Sequence, residues 1–157
     1  MERSLELDGL DRNIGLHLGI AHSQTVLTLD PKLKPLGLTA KLVTILWLTD
    51  ANSEIHQVDI ARFLKLKRST IHQFIKALTN GGFLEYIPSP VDRRSKQLRL
   101  TRSGRTALER AREVVAHHEA QMNARLTPDE QESLLALISK MRGVGDEVVE
   151  STLVPVS

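Results

Sequence analysis

The sequence contains no cysteine, which removes disulfides, thiolate zinc sites and thiol redox sensing from the functions open to it. It also has no apolar run approaching the length needed to span a bilayer. The N-terminus, MERSLELDGLDRN, carries acids where a secretory leader needs a basic start and an apolar stretch. A cytoplasmic protein with no membrane partner is therefore expected. A Gly-rich phosphate loop, a nucleophile elbow, a metalloprotease helix and carboxylates paired for acid–base work are likewise missing, so neither catalysis nor a cofactor is expected. Internal repeats and low-complexity linkers are absent too. The 157 residues, 41% hydrophobic and 25% charged, suit one globular domain with a real core.

Acids are scarce in one place. The net charge is only +2, yet the stretch from Arg62 to Arg105 holds 11 Lys and Arg against two acids, Glu85 and Asp92. That block is +9 and the remainder is −7. Clustered cations on a near-neutral scaffold are what polyanion binding requires, because local cations displace condensed counterions. Charge alone is equally compatible with a solvated basic face.

Periodicity sets the order of elements. Residues 10–29 place Ile14, Leu18, His22, Val26 and Leu29 near helical spacing, and Pro31 and Pro35 are expected to end the helix. Thr39 can cap a helix from about Ala40 to Asp50, with Leu38 and Val43 as a hydrophobic staple. Gln57 to Leu64 reads as a short helix with Val58, Ala61, Phe63 and Leu64 mostly on one side, followed by the turn Lys65-Leu66-Lys67. From Arg68 to Asn80, Ile71, Phe74, Ile75 and Leu78 fall at i, i+3, i+4 and i+7, one buried stripe. Gly81-Gly82 reverses the chain, and 83–87 and 97–100 read as strands around the basic loop Pro88 to Lys96. Thr101 can cap a long helix bearing Ala107, Leu108, Ala111, Val114, Val115 and Met122. Thr127-Pro128-Asp129-Glu130 gives a capping box for a last helix through Leu134, Leu135, Ile138 and Met141, with Gly143 and Gly145 near its end.

Four helices, a hairpin and two helices make a mainly α chain with a small β-hairpin: a winged helix-turn-helix flanked by further helices. A helix in a major groove must turn polar side chains to base edges while its other side packs on the domain. Ser69, Thr70, His72, Gln73 and Lys76 meet that need. Any amphipathic surface helix would look similar, and the neighbouring hairpin tips the balance. Its tip carries Arg93, Arg94 and Lys96, which no core requires and which suit the negative potential of a narrow minor groove. Asp92 could orient one arginine through a bidentate ion pair.

The stretches DIARFLKLKRSTIH (Asp59 to His72), LTNGGFL (Leu78 to Leu84), Asp92-Arg93-Arg94 and LTRSG (Leu100 to Gly104), in this order and spacing, resemble the core of the MarR (multiple antibiotic resistance regulator) family. The resemblance runs from about residue 38 to 105 and is weaker at both ends. It implies that 68–80 enters the major groove, that Arg94 reaches the minor groove with Asp92 as its partner, and that residues near 5–30 and 106–155 form a homodimer. The implied function is a double-stranded DNA-binding regulator, a repressor by default, on an inverted-repeat operator. Two positions depart from the family pattern. Lys67 stands where a serine cap is common, and a lysine there could contact phosphate instead; Arg68 beside it is a further DNA-binding candidate. Tyr86 replaces a commonly basic residue on the first wing strand.

The resemblance also implies a small-molecule effector. Trp47 could line its pocket, although an indole here reads first as core. His17 and His22 on the first helix and His117 and His118 with Glu113 on the fifth are weak metal candidates, without a ligand spacing such as HExxH. Cysteine-based peroxide sensing, found in one branch of the family, is excluded. Rival readings are an architectural protein without sequence preference, a metal-responsive regulator, and a ligand-sequestering protein.

Overall fold

The computed structural model describes residues 5–89 and 96–143. A 3-10 turn at Leu10–Arg12 precedes α1 (Ile14–Leu33), whose N-cap Asn13 accepts from the Leu16 backbone N–H at 2.8 Å. The helix runs through Pro31 rather than stopping before it. One more turn brings Leu33 into the core alongside Leu29, and that burial offsets the backbone hydrogen bond a proline cannot donate.

A second 3-10 turn, Lys34–Leu36, leads to α2 (Ala40–Ala51), where Thr39 caps Leu42 and the expected staple residues Leu38 and Val43 are both buried. Next come α3 (Gln57–Phe63), α4 (Arg68–Asn80), β1 (Leu84–Pro88), β2 (Lys96–Leu100) and α5 (Arg102–Met122). The strands pair antiparallel, Leu84 opposite Leu100 and Pro88 opposite Lys96. On its other edge β2 takes a further hydrogen bond, Leu98 N–H to the Ile55 carbonyl at 3.0 Å. The hairpin is thereby anchored to the chain just before α3.

The core gathers Leu33, Ile45, Leu46, Ile60, Ile71, Ile75, Leu78, Leu98 and Leu108, all fully buried. In α3 the inward residue is Ile60, with Ala61 and Leu64 partly buried. Val58 and Phe63, read from spacing as part of the buried side, are more than half exposed. A helix of seven residues makes under two turns, too short for its pattern to define a face without knowing what lies beneath it.

Two compact units, residues 1–118 and 119–157, divide the chain within α5. In the second, α6 (Pro128–Met141) starts at a capping box: Thr127 N–H donates to Glu130 Oε2 at 2.8 Å, and Thr127 Oγ1 accepts from Glu130 N–H at 3.3 Å. Leu134, Leu135, Leu137 and Met141 on α6 are 44–67% exposed. Gly143 follows in the left-handed region, φ 68°; Gly145 lies outside the described residues. No helix among the described residues is long and apolar enough to cross a membrane.

Candidate nucleic-acid interface

The connection between α3 and α4 is tight because the backbone folds back on α3. Leu64 and Leu66 donate to the carbonyls of Ile60 and Ala61, each at 2.9 Å, and Lys65 takes a left-handed φ of 53° between them. Leu66 is drawn against the core, and α4 starts at Lys67 with no side-chain cap, as expected for a lysine in that position.

On α4, Ile71, Ile75 and Leu78 are buried and Phe74 is partly so. The opposite face carries Ser69, His72, Gln73 and Lys76, all exposed. They stand at i, i+3, i+4 and i+7, one row along the helix. Lys67 and Arg68 are exposed at its start and Thr70 is half-buried at the side. Burial on one side therefore fixes α4 rotationally and leaves this polar row outward.

The hairpin is joined to α4 through a short clamp. Phe83 N–H donates to the Leu78 carbonyl at 2.9 Å, and the Phe83 carbonyl accepts from Thr101 N–H at 3.0 Å. Thr101 Oγ1 donates to the Gly82 carbonyl and accepts from Gly104 N–H at 2.9 Å, so one hydroxyl closes the reversal and caps α5. Gly82 has φ 73°, a conformation that glycine enters at little cost. A Cβ at Gly104 would collide with the Phe83 carbonyl oxygen, so that glycine is required by close backbone approach.

At the loop end of the hairpin, His56 Nδ1 lies 3.1 Å from the Lys96 carbonyl oxygen, an acceptor, so the ring nitrogen is the donor. Tyr86 donates its hydroxyl to Gln57 Oε1 at 3.3 Å, and the Lys96 ammonium sits 5.8 Å from the Tyr86 ring centroid. Burial pushes the Tyr86 phenol above its ordinary value of 10.0, so it stays a donor. The Tyr86 hydroxyl thus braces the start of α3. His56 and Gln57 carry no signal in the sequence, because their partners lie 40 and 29 residues away.

The basic block sorts into paired and unpaired cations. Arg99 meets Glu85 at 2.9 Å directly across the hairpin, Arg105 lies 3.7 Å from Asp50, and Arg62 lies 3.6 Å from Asp59. Lys65, Lys67, Arg68, Lys76, Lys96 and Arg102 have no ion-pair partner among the described residues, and all but Arg102, at the start of α5, lie on α4, the turn before it or the loop end of the hairpin. Asp92, Arg93 and Arg94 fall outside the described residues.

Trp47 is not core. It is 40% exposed, its ring 4.7 Å below the Arg112 guanidinium, which donates to Asp50 Oδ2 at 2.8 Å. Among the histidines, His17 Nε2 donates to the Asp11 carbonyl at 2.7 Å. His118 is buried with Nε2 2.7 Å from Thr28 Oγ1, whereas its neighbour His117 and His22 are exposed. Among the described residues no three His, Asp or Glu come together as metal ligands.

A helix-turn-helix followed at once by an antiparallel hairpin, with one polar row and a cluster of unpaired cations, defines a winged helix-turn-helix protein. Residues 36–95 match the model of the MarR family. The transcriptional repressor CouR, solved on a 23-mer DNA duplex, is 30% identical with a TM-score of 0.82, covering 89% of this chain and 99% of that one. CouR bound to p-coumaroyl-CoA is similar at 28% identity and a TM-score of 0.79, over 88% of this chain and 98% of that one. The transcriptional repressor IacR of Pseudomonas putida is 29% identical over 97 residues, 62% of this chain and 58% of that protein. The matches span about three fifths of the length of such curated relatives. The chain belongs to the MarR family.

Proposed function

We propose that the protein is a transcriptional repressor that binds an inverted-repeat operator in double-stranded DNA as a homodimer. The observation that carries this reading is the row Ser69, His72, Gln73 and Lys76, exposed on a helix whose other face buries Ile71, Ile75 and Leu78. Gln73 has the fork to pair adenine and Lys76 the reach for guanine. Lys67, Arg68 and Lys96 neutralise phosphates beside it, and Arg93 and Arg94 of the wing tip enter the minor groove, with Asp92 orienting Arg94. CouR, a repressor solved on DNA, supports the same assignment. The apolar side chains exposed on α1 and α6, Ile14 and Leu27 on the former and Leu135 and Leu137 on the latter, supply surface for the homodimer contact.

Release by a small-molecule effector belongs to this reading, supported by the acyl-CoA thioester bound to CouR. Trp47, its ring 4.7 Å from the Arg112 guanidinium, is assigned to one wall of the effector site.

Selection of sites from fragmented genomic DNA at near-physiological salt tests the proposal. A short inverted repeat with half-site centres roughly 34–36 Å apart is expected, and Arg94→Ala should weaken every selected site at matched salt. Tight but unselective binding would make the protein architectural instead. Unchanged affinity in a folded Arg94→Ala dimer would remove the wing from the interface.

A further inference from the structure

The turn that ends α3 has a lysine where the backbone favours glycine. Lys65 N–H donates to the Arg62 carbonyl at 3.3 Å and Leu66 N–H to the Ala61 carbonyl at 2.9 Å. These two bonds make a Schellman motif, whose central residue must be left-handed and is usually glycine. Lys65 takes that place with φ 53°, a conformation in which a Cβ crowds the following carbonyl oxygen. Among the described residues of the helix-turn-helix and wing, no other non-glycine residue has a positive φ.

Nothing in the packing calls for this side chain. Leu64 and Leu66 on either side are partly buried against the core, whereas Lys65 is exposed. It has no ion-pair partner among the described residues. Lys67 and Arg68, exposed and equally unpaired, follow at once. Three cations thus fall within four consecutive residues, next to the polar row that begins at Ser69.

We propose that Lys65 is a further phosphate-contacting residue of the DNA interface, kept in a glycine's place at a cost to stability. The proposal rests on the DNA-binding reading and adds to it a residue whose backbone conformation works against folding. Strain of this kind persists where the surroundings over-determine it and function uses it; here the two flanking leucines and the paired hydrogen bonds hold the turn. A rival account places the ammonium at the C-terminus of α3 to meet the helix dipole, which would make the lysine stabilising. The left-handed strain is the larger of the two effects, so the sign of the stability change separates them.

Two measurements on the full chain test the proposal: chemical denaturation, and fluorescence anisotropy on a mixed-sequence duplex of about 30 base pairs, three helical turns, over about 50–200 mM salt. Lys65→Gly should raise the denaturation midpoint while lowering affinity about tenfold or more. Its slope of log affinity against log salt should fall in magnitude by about 2, one contact from each protomer of the dimer. Lys65→Arg, which keeps the charge, should keep the slope. Lys140→Gln removes an exposed lysine from α6 instead and should leave the slope unchanged. A wild-type slope or a midpoint no higher than wild type in Lys65→Gly would overturn the proposal, as would a reduced slope in Lys65→Arg or Lys140→Gln. In each of those cases the wild-type chain still binds the duplex; a wild-type chain that does not bind would overturn the DNA-binding reading as well.

Discussion

At the scale of single residues, Lys67 shows how one side chain is pulled between folding and binding. It occupies the N-cap of α4 without donating a cap, where a serine would satisfy an open backbone N–H. Lys67→Ser should raise stability by about 1 kcal/mol in chemical denaturation. The same change removes a cation beside each of the dimer's two recognition rows, so the slope of log affinity against log salt should fall in magnitude by about 2. A stabilised variant with an unaltered slope would show that Lys67 touches no phosphate. Gln73 stands mid-row with its amide exposed. Gln73→Ala should relax base preference at one operator position by about 1–3 kcal/mol, read by site selection on the variant; loss spread evenly over all positions would make it a backbone contact. Both residues were legible in the sequence, because amphipathic spacing over 13 residues of helix leaves little doubt about which side faces out.

Among elements, the wing depends on a joint more than on its own strands. Two five-residue strands make a marginal hairpin in isolation, and this one is held at Ile55, at Lys96 by His56, and at Phe83 by Thr101. Gly104 permits the last of these by letting α5 press on the Phe83 carbonyl. Gly104→Ala should therefore cost about 1–3 kcal/mol or more and weaken operator binding beyond the loss of folded protein. Thermal unfolding together with binding at a temperature where the variant is folded separates the two effects. Wild-type stability would mean that the backbone relaxes there at no cost. The turn residues around this joint were visible in the sequence, yet the braces from His56 and Gln57 were not, since hydrogen bonds between distant residues leave no periodic trace. The exposure of Val58 and Phe63 was missed for a related reason: what counts as the inner face of α3 is set by the position of its neighbours.

For the whole molecule, the open question of energy is the apolar surface left on α6. Leu135 and Leu137 are 67% and 61% exposed, and contiguous exposed apolar side chains mark interaction surfaces. If α6 contributes to the homodimer, Leu135→Glu should produce a monomer in sedimentation at micromolar concentration. Its operator affinity should fall with it, because the two half-sites would no longer be read together. A variant that stays dimeric with a folded α6 would place the interface elsewhere on the chain.

The sequence alone determined the order of elements, the buried stripe of α4, the polar row opposite it and the basic wing, because each is a local pattern written over consecutive residues. It also determined which chemistries are closed, since a residue type that is absent cannot act. Only tertiary structure decided which cations remain unpaired, that Trp47 lies under an arginine at the surface, and that α1 continues through Pro31. Those outcomes depend on what distant segments bring alongside a residue, and packing energy summed over many contacts overrides the preference of any single position.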